Sequence, residues 1–267
     1  MRIDYHLHSQ YSGDSKTTME AICAAAIEKN IQEIAFTDHV DFSYPKMRPD
    51  HYIADFDHYL ETLARYQQRY AGRLTIRAGV EIGLEKHRLA EYDTLLRQYP
   101  FDFVIGSVHE YNGFIVSKPE FYQGKTKAQA YEAYYSAILE CIRLFDNFDV
   151  IGHLDYCKRY CPGEYGLEDY LIAQPIIEEI FRTLIAKGKG IEVNTSGFRH
   201  SSEMCMPHYD ILSLYRQMGG TRLTIGSDSH RDEVVGFHLT DVITNLKQIG
   251  FTHISTFEQR KEIKQPL

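Results

Sequence analysis

Seven short apolar or β-branched runs alternate along the chain with longer segments of helical period. The runs lie near Ile3–His6, Glu33–Thr37, Leu74–Glu81, Phe103–His109, Phe148–His153, Gly190–Asn194 and Leu223–Ser227. Helices are expected near Thr18–Lys29, Asp55–Tyr70, Lys86–Gln98, Lys127–Phe145, Glu168–Ala186, His208–Met218 and Thr240–Ile249. Each crossover is long enough to return the chain parallel to its start, so the choice narrows to a closed (β/α) barrel or a doubly wound sheet. Polar residues make the choice. His6, His8, Asp38, His39, Glu81, His109, His153, Asp228 and His230 fall at or just beyond the C-terminal ends of the runs. A doubly wound sheet would collect such residues at one switch point, whereas a barrel aims every strand end into one mouth. The expectation is one α/β domain over residues 1–267, a barrel with its site at the C-terminal ends of the strands.

Composition sets the class of partner. With 267 residues, 29 Lys+Arg against 37 Asp+Glu and a net charge of −8, the chain is long enough for a large core. Disorder and collagen are excluded. Without a Lys/Arg block it has no basic stripe to track a nucleic acid polymer or anionic lipid, and small phosphorylated molecules remain open. No run approaches the ~18 apolar residues of a membrane span, and Met1-Arg2-Ile3-Asp4-Tyr5-His6 has no apolar signal region. A cytoplasmic location without membrane contact is expected. Cys23, Cys141, Cys157, Cys161 and Cys205 are an odd number in a chain that needs no staples, so they are expected to be reduced.

Successive side chains on a strand alternate faces, so His6 and His8 project the same way and can reach one metal ion; Asp228 and His230 repeat the spacing. Burying so many unpaired polar groups would cost several kcal/mol each, roughly 2–7 for one without a partner, which calls for a shared partner. A divalent cation serves, and imidazole mixed with carboxylate suits Zn, Fe or Mn. With Asp14 there are nine candidate ligands: His6, His8, Asp14, His39, Glu81, His109, His153, Asp228 and His230. That exceeds one ion's needs. A bridging carboxylate such as Glu81 would allow two or three ions, and such centres perform hydrolysis.

His6-Leu-His8, Asp14, Thr37-Asp38-His39, Glu81, Ser107-Val-His109, Gly152-His153-Leu-Asp155 and Gly226-Ser-Asp228-Ser-His230 together resemble the motifs of the polymerase-and-histidinol-phosphatase (PHP) family. The match in order and spacing spans nearly the whole chain, and the histidinol-phosphatase branch is the nearest likeness. The resemblance implies a distorted (β/α)7 barrel, in keeping with the strand count. It also implies three ligand sets: His6, His8, Glu81 and Asp228; Glu81, His109 and His153; and Asp14, His39 and His230. Some relatives carry His where this chain has Asp14. The implied activity is hydrolysis of L-histidinol phosphate to L-histidinol and phosphate, a step of histidine biosynthesis.

Both lines of reasoning lead to a metal-activated hydroxide attacking phosphorus in line. Arg159 and Arg199 follow the fifth and sixth strands and are expected to bind phosphate bidentately. Asp38, His200 or a metal-bound water could protonate the leaving alkoxide. Asp41, Asp155 and Glu110 are candidates to meet a substrate amine, and Tyr156, Tyr160 and Tyr165, opposite Phe42 and Tyr44, could wall a heterocycle. Tyr131, Tyr134 and Tyr135, on one helix, are expected to serve core or interface packing. There is no Gly-x4-Gly-Lys-Ser/Thr loop, no cysteine six positions before an arginine, and Asp55-Phe-Asp57 falls in a helical stretch. Other readings are a PHP-type phosphoesterase acting on nucleotides or phosphotyrosine, and a non-catalytic metal-binding regulatory module.

Overall fold

The structure is a computed structural model that describes residues 2–43, 55–163, 167–200 and 204–267; Tyr44 and Tyr165 lie outside them. In chain order the elements are β1 (Ile3–Leu7), α1 (Met19–Glu28), β2 (Glu33–Phe36), β3 (His39–Val40), α2 (Phe56–Arg69), β4 (Thr75–Gly83), α3 (Leu89–Gln98), β5 (Phe103–Ser107), β6 (Glu110–Tyr111) and β7 (Phe114–Ile115). There follow α4 (Pro119–Tyr122), α5 (Lys127–Leu144), β8 (Val150–Ile151), α6 (Leu167–Ala186), β9 (Gly190–Asn194), α7 (Tyr209–Gln217), β10 (Leu223–Gly226), α8 (Leu239–Ile249), β11 (His253–Glu258) and β12 (Lys261–Pro266).

Seven strands pair in parallel in the order β1-β2-β4-β5-β8-β9-β10, with the short β3 paired to β4 beside that path. A bridge between Leu7 and Ser229 brings the two ends together, where His8 N–H donates to the Ser229 carbonyl at 2.8 Å. The result is the nearly closed seven-stranded barrel expected from the alternation. Every residue of β1, β2, β5, β9 and β10 is buried, as strands walled on both faces must be, which is why they read as predominantly apolar or β-branched runs. Helices begin where side chains can satisfy the first free N–H groups. Thr18 accepts from Ala21 N–H, Thr126 and Gln129 form a reciprocal capping box at α5, and Asp55 caps α2 from His58 N–H at 2.9 Å. Tyr131, Tyr134 and Tyr135 are buried along α5.

Four strands end before the expected positions. β2 stops at Phe36, β5 at Ser107, β8 at Ile151 and β10 at Gly226, and beyond the last two the backbone turns left-handed at His153 (φ 23°) and Asp228 (φ 52°). Such values in non-glycine residues are strained and collect at functional sites. The β11–β12 hairpin was not anticipated. Its Phe257 is fully buried, its ring 5.1 Å from that of Phe103 at the start of β5, and its N–H donates to Tyr5 Oη. Arg260, at the hairpin turn, pairs with Asp149 just ahead of β8 at 2.6 Å. The hairpin thus plugs the amino-terminal end of the barrel, leaving the other end open.

Candidate metal centre

Glu81, near the end of β4, is fully buried and stands at the middle of the mouth. Its Oε2 lies 3.1 Å from His6 Nε2, 3.5 Å from His8 Nε2 and 3.0 Å from His39 Nδ1. Its Oε1 lies 3.0 Å from His153 Nε2 and 3.4 Å from His109 Nε2. Asp228 Oδ1 closes the near side, 3.5 Å from His8 Nε2 and 3.8 Å from His6 Nε2. Asp14 Oδ2 is 3.1 Å from His230 Nε2 and 3.7 Å from His39 Nε2. The structure therefore brings all nine candidate ligands, from six strand ends and the loop after β1, into one cluster. Within it, ligand atoms of His6, His8 and Glu81, of Glu81, His109 and His153, and of His8, His39 and His230 lie within 4.8 Å of one another.

The electrostatics of this cluster favour cations. Burial alone would keep the histidines neutral. Against it, Glu192, Glu81 and Asp228 hold His6 well above its usual range, and Glu81 and Asp14 do the same for His39. Asp41 and Glu81 push His109 up to about 10. Glu81 in turn, despite burial, is held well below the carboxylate range by His6, His39 and His109. His8 goes the other way, lowered by burial and by His230 and His39. Its Nε2 is buried and has no hydrogen-bond partner among the described residues. A lone pair aimed at two carboxylates, in a set of imidazoles and carboxylates, fits a divalent ion.

Residues one step back orient the rings. Ser12 Oγ donates to Asp38 at 2.7 Å, so it accepts from His8 Nδ1 at 3.0 Å and leaves His8 Nε2 facing the cluster. Asp41 holds His109 Nδ1 at 2.9 Å, Ser107 Oγ donates to Glu81 Oε1 at 2.6 Å, and Ser196 Oγ to Asp228 Oδ2 at 3.2 Å. Asp38 also takes Ser9 N–H and Oγ–H at 2.6 and 2.8 Å. It is enclosed behind His8 and does not line the mouth. Glu192, in the middle of β9, was missed on sequence; it contacts His6 Nδ1 at 2.6 Å. A carboxylate between Ile191 and Val193 in an otherwise apolar run was the available signal.

A cavity of about 290 Å³ opens over the cluster, lined by Asp41, Ser117, Tyr156, Arg159 and Tyr160 as well as by ligand candidates, Asp14 among them. Tyr156 lies against His153, ring centroids 4.6 Å apart, and its hydroxyl meets that of Tyr160 at 3.1 Å. The Arg159 guanidinium sits 5.2 Å from the Tyr160 ring centroid. Arg199 is placed differently. Its two terminal nitrogens donate to the carbonyls of Ser227 and Asp228 at 2.8 and 2.9 Å, bracing the left-handed turn at Asp228. His200 is lowered to about 4 by burial and by Arg159 and Arg199, so it is neutral at pH 7. Of the candidate amine partners, Asp41 lines the cavity. Asp155 is buried against Lys158 Nζ at 2.7 Å, and Glu110 accepts from Gly113 N–H. Cys157 and Cys161 are buried and not joined in a disulfide.

Comparison with known proteins agrees with this geometry. The sequence profile of the PHP domain matches residues 4–196. The histidinol-phosphatase of Lactococcus lactis subsp. lactis is 32% identical over 261 residues, 97% of this chain and 96% of that protein. The "probable histidinol-phosphatase" of Clostridium acetobutylicum is 30% identical over 256 residues, 94% of this chain and 97% of its own. The crystal structure of the Lactococcus lactis histidinol phosphate phosphatase, complexed with zinc, L-histidinol and phosphate, superposes with a TM-score of 0.90 at 32% identity, covering 98% of this chain and 99% of the other. With nine converging candidate ligands on a seven-stranded barrel and relatives that match it nearly end to end, the chain belongs to the PHP family, among the histidinol phosphatases.

Proposed function

We propose that this protein is a metal-dependent phosphomonoesterase that hydrolyses L-histidinol phosphate to L-histidinol and phosphate. The observation that carries the reading is the gathering of six histidines, Asp14 and Asp228 around Glu81 beneath a cavity bearing Arg159. The relative solved with zinc, L-histidinol and phosphate supports the choice of substrate. His6, His8, Glu81 and Asp228 would hold one divalent ion, Glu81, His109 and His153 a second, and Asp14, His39 and His230 a third, with Zn, Fe or Mn suiting the donor set. Ions bound there supply Lewis acidity to a phosphoryl oxygen and make water a competent nucleophile at neutral pH.

The chain's own groups do the rest. Arg159, carried on Tyr160, meets the phosphate dianion at the mouth. Arg199 contributes by fixing Asp228 through the carbonyls of Ser227 and Asp228. His8, His109 and His6 keep one nitrogen toward the cluster because Ser12, Asp41 and Glu192 take the other. Of the two side chains expected as acid, Asp38 is assigned to holding Ser12 and so His8. His200, lowered first by burial and then by Arg159 and Arg199, is neutral and a poor acid at pH 7, so of the three expected donors a water held by the ions would protonate the alkoxide as the P–O bond breaks.

The test is metal analysis of the purified protein together with phosphate release from L-histidinol phosphate and from sugar, nucleotide and tyrosine phosphates. Two or more ions per chain, activity abolished by chelation and a strong preference for L-histidinol phosphate are expected. Preference for another phosphoester would sink the substrate assignment, and metal without turnover would leave only a binding module.

A further inference from the structure

A charged residue in a strand buried on both faces needs a reason, and Glu192 has three partners. The strand sequence is Gly190-Ile-Glu-Val-Asn194, and Glu192 is fully buried. Its Oε1 contacts His6 Nδ1 at 2.6 Å. Its Oε2 accepts from the backbone N–H of His153 at 2.9 Å, where the chain turns left-handed, and from Asn194 Nδ2 at 3.1 Å. Asn194 Nδ2 in turn reaches Asp228 Oδ2 at 3.5 Å. One carboxylate therefore connects three of the candidate ligands, which arise from β1, the loop after β8 and the loop after β10. Two glycines leave room for it. A Cβ at Gly226 would lie 2.6 Å from Glu192 Oε1 and 2.3 Å from His6 Cβ, and one at Gly152 would lie 3.5 Å from Glu192 Oε2 and 2.4 Å from Ser107 Oγ.

We infer that Glu192 is a positioning residue of the metal centre: by holding His6 Nδ1, the His153 backbone and Asn194 together, it sets the facing of ligands to two ions at once. It does not reach the ions itself, because its two oxygens are taken up by these partners. A carboxylate behind a ligating histidine fixes the ring's tautomer and orientation, so its loss weakens metal binding by about 10–100-fold. Glu192→Gln keeps the shape but replaces one of two acceptor oxygens by an NH2 donor, although all three contacts need an acceptor. The inference rests on the metal-centre reading above.

The experiment compares wild type and Glu192→Gln after chelation and refilling with Zn2+ or Co2+ alone, following ion content per chain, apparent affinity and the visible spectrum of bound Co2+, with circular dichroism as the check on folding. The expected result is a folded variant with affinity about 10–100-fold weaker, an altered Co2+ spectrum and an affinity restored in part by Glu192→Asp. Wild-type affinity and spectrum in a folded Glu192→Gln would overturn the inference even if thermal stability fell. A wild type that binds no metal would instead overturn the reading on which it rests. If Glu192→Gln does not fold, Zn2+-loaded wild type labelled with 15N-histidine decides: a slowly exchanging, downfield Nδ1–H assigned to His6 supports the carboxylate contact, and its absence refutes it.

Discussion

At the scale of residues, two arginines that look alike in sequence perform different tasks. Arg159 lines the cavity and rests on Tyr160, so Arg159→Ala removes a charged donor to phosphate. The loss expected in kcat/KM is about 10²- to 10³-fold, as for removal of one preorganised donor to developing charge, with metal content unchanged. Arg199 instead braces the carbonyls of Ser227 and Asp228. Without it the strained turn at Asp228, φ 52°, loses its support. Arg199→Ala is therefore expected to lower both turnover and the number of ions retained through gel filtration. Kinetics with metal analysis on the two variants separates the roles. Full metal occupancy in Arg199→Ala with lost turnover would return that residue to the phosphate site.

At the scale of elements, the barrel needs a stopper as well as a mouth. β11–β12 supplies it, with Phe257 fully buried, its ring stacked on Phe103 and its N–H donating to Tyr5 Oη. Phe257→Ala is expected to cost about 3–5 kcal/mol, lowering Tm by roughly 10 °C, while ion content and KM stay at wild-type values because the metal centre is at the other end. Thermal denaturation beside metal analysis checks this; loss of metal at constant fold would show that the two ends are coupled. The hairpin also marks the limit of what could be read in advance. The strands of the barrel were legible because burial on both faces demands continuous apolar runs, and the ligands because polar residues interrupt those runs at one end. His253–Glu258 alternates too briefly to announce a plug. Nor does spacing reveal that Asp38 and Glu192 act through Ser12 and His6, since those contacts join strands far apart in the chain.

At the scale of the whole molecule, protons and metal ions compete for one buried cluster, which gives the protein a pH dependence of definite sign. Despite burial, nearby carboxylates raise His6, His39 and His230 above the usual 6.5 and His109 to about 10. A histidine raised in the folded state adds stability that is complete below its unfolded value and is lost as pH rises through the folded one. Glu81, Asp14 and Asp228 are lowered despite burial, so their contribution is lost only as pH falls below the ordinary carboxylate range toward their folded values. His8, lowered by burial and two neighbouring histidines, opposes the other four. The metal-free protein should accordingly lose Tm as pH is raised from about 6.5 toward 10, where its imidazolium counter-charges disappear. The metal-loaded protein should not, because ions take the place of those protons and bind more tightly as the pH rises. Scanning calorimetry of chelated and Zn2+-loaded protein at matched pH measures both curves. A metal-free Tm that stays level or climbs between pH 7 and 10 would show that the carboxylates of the mouth are not held by protonated histidines when the metal is gone.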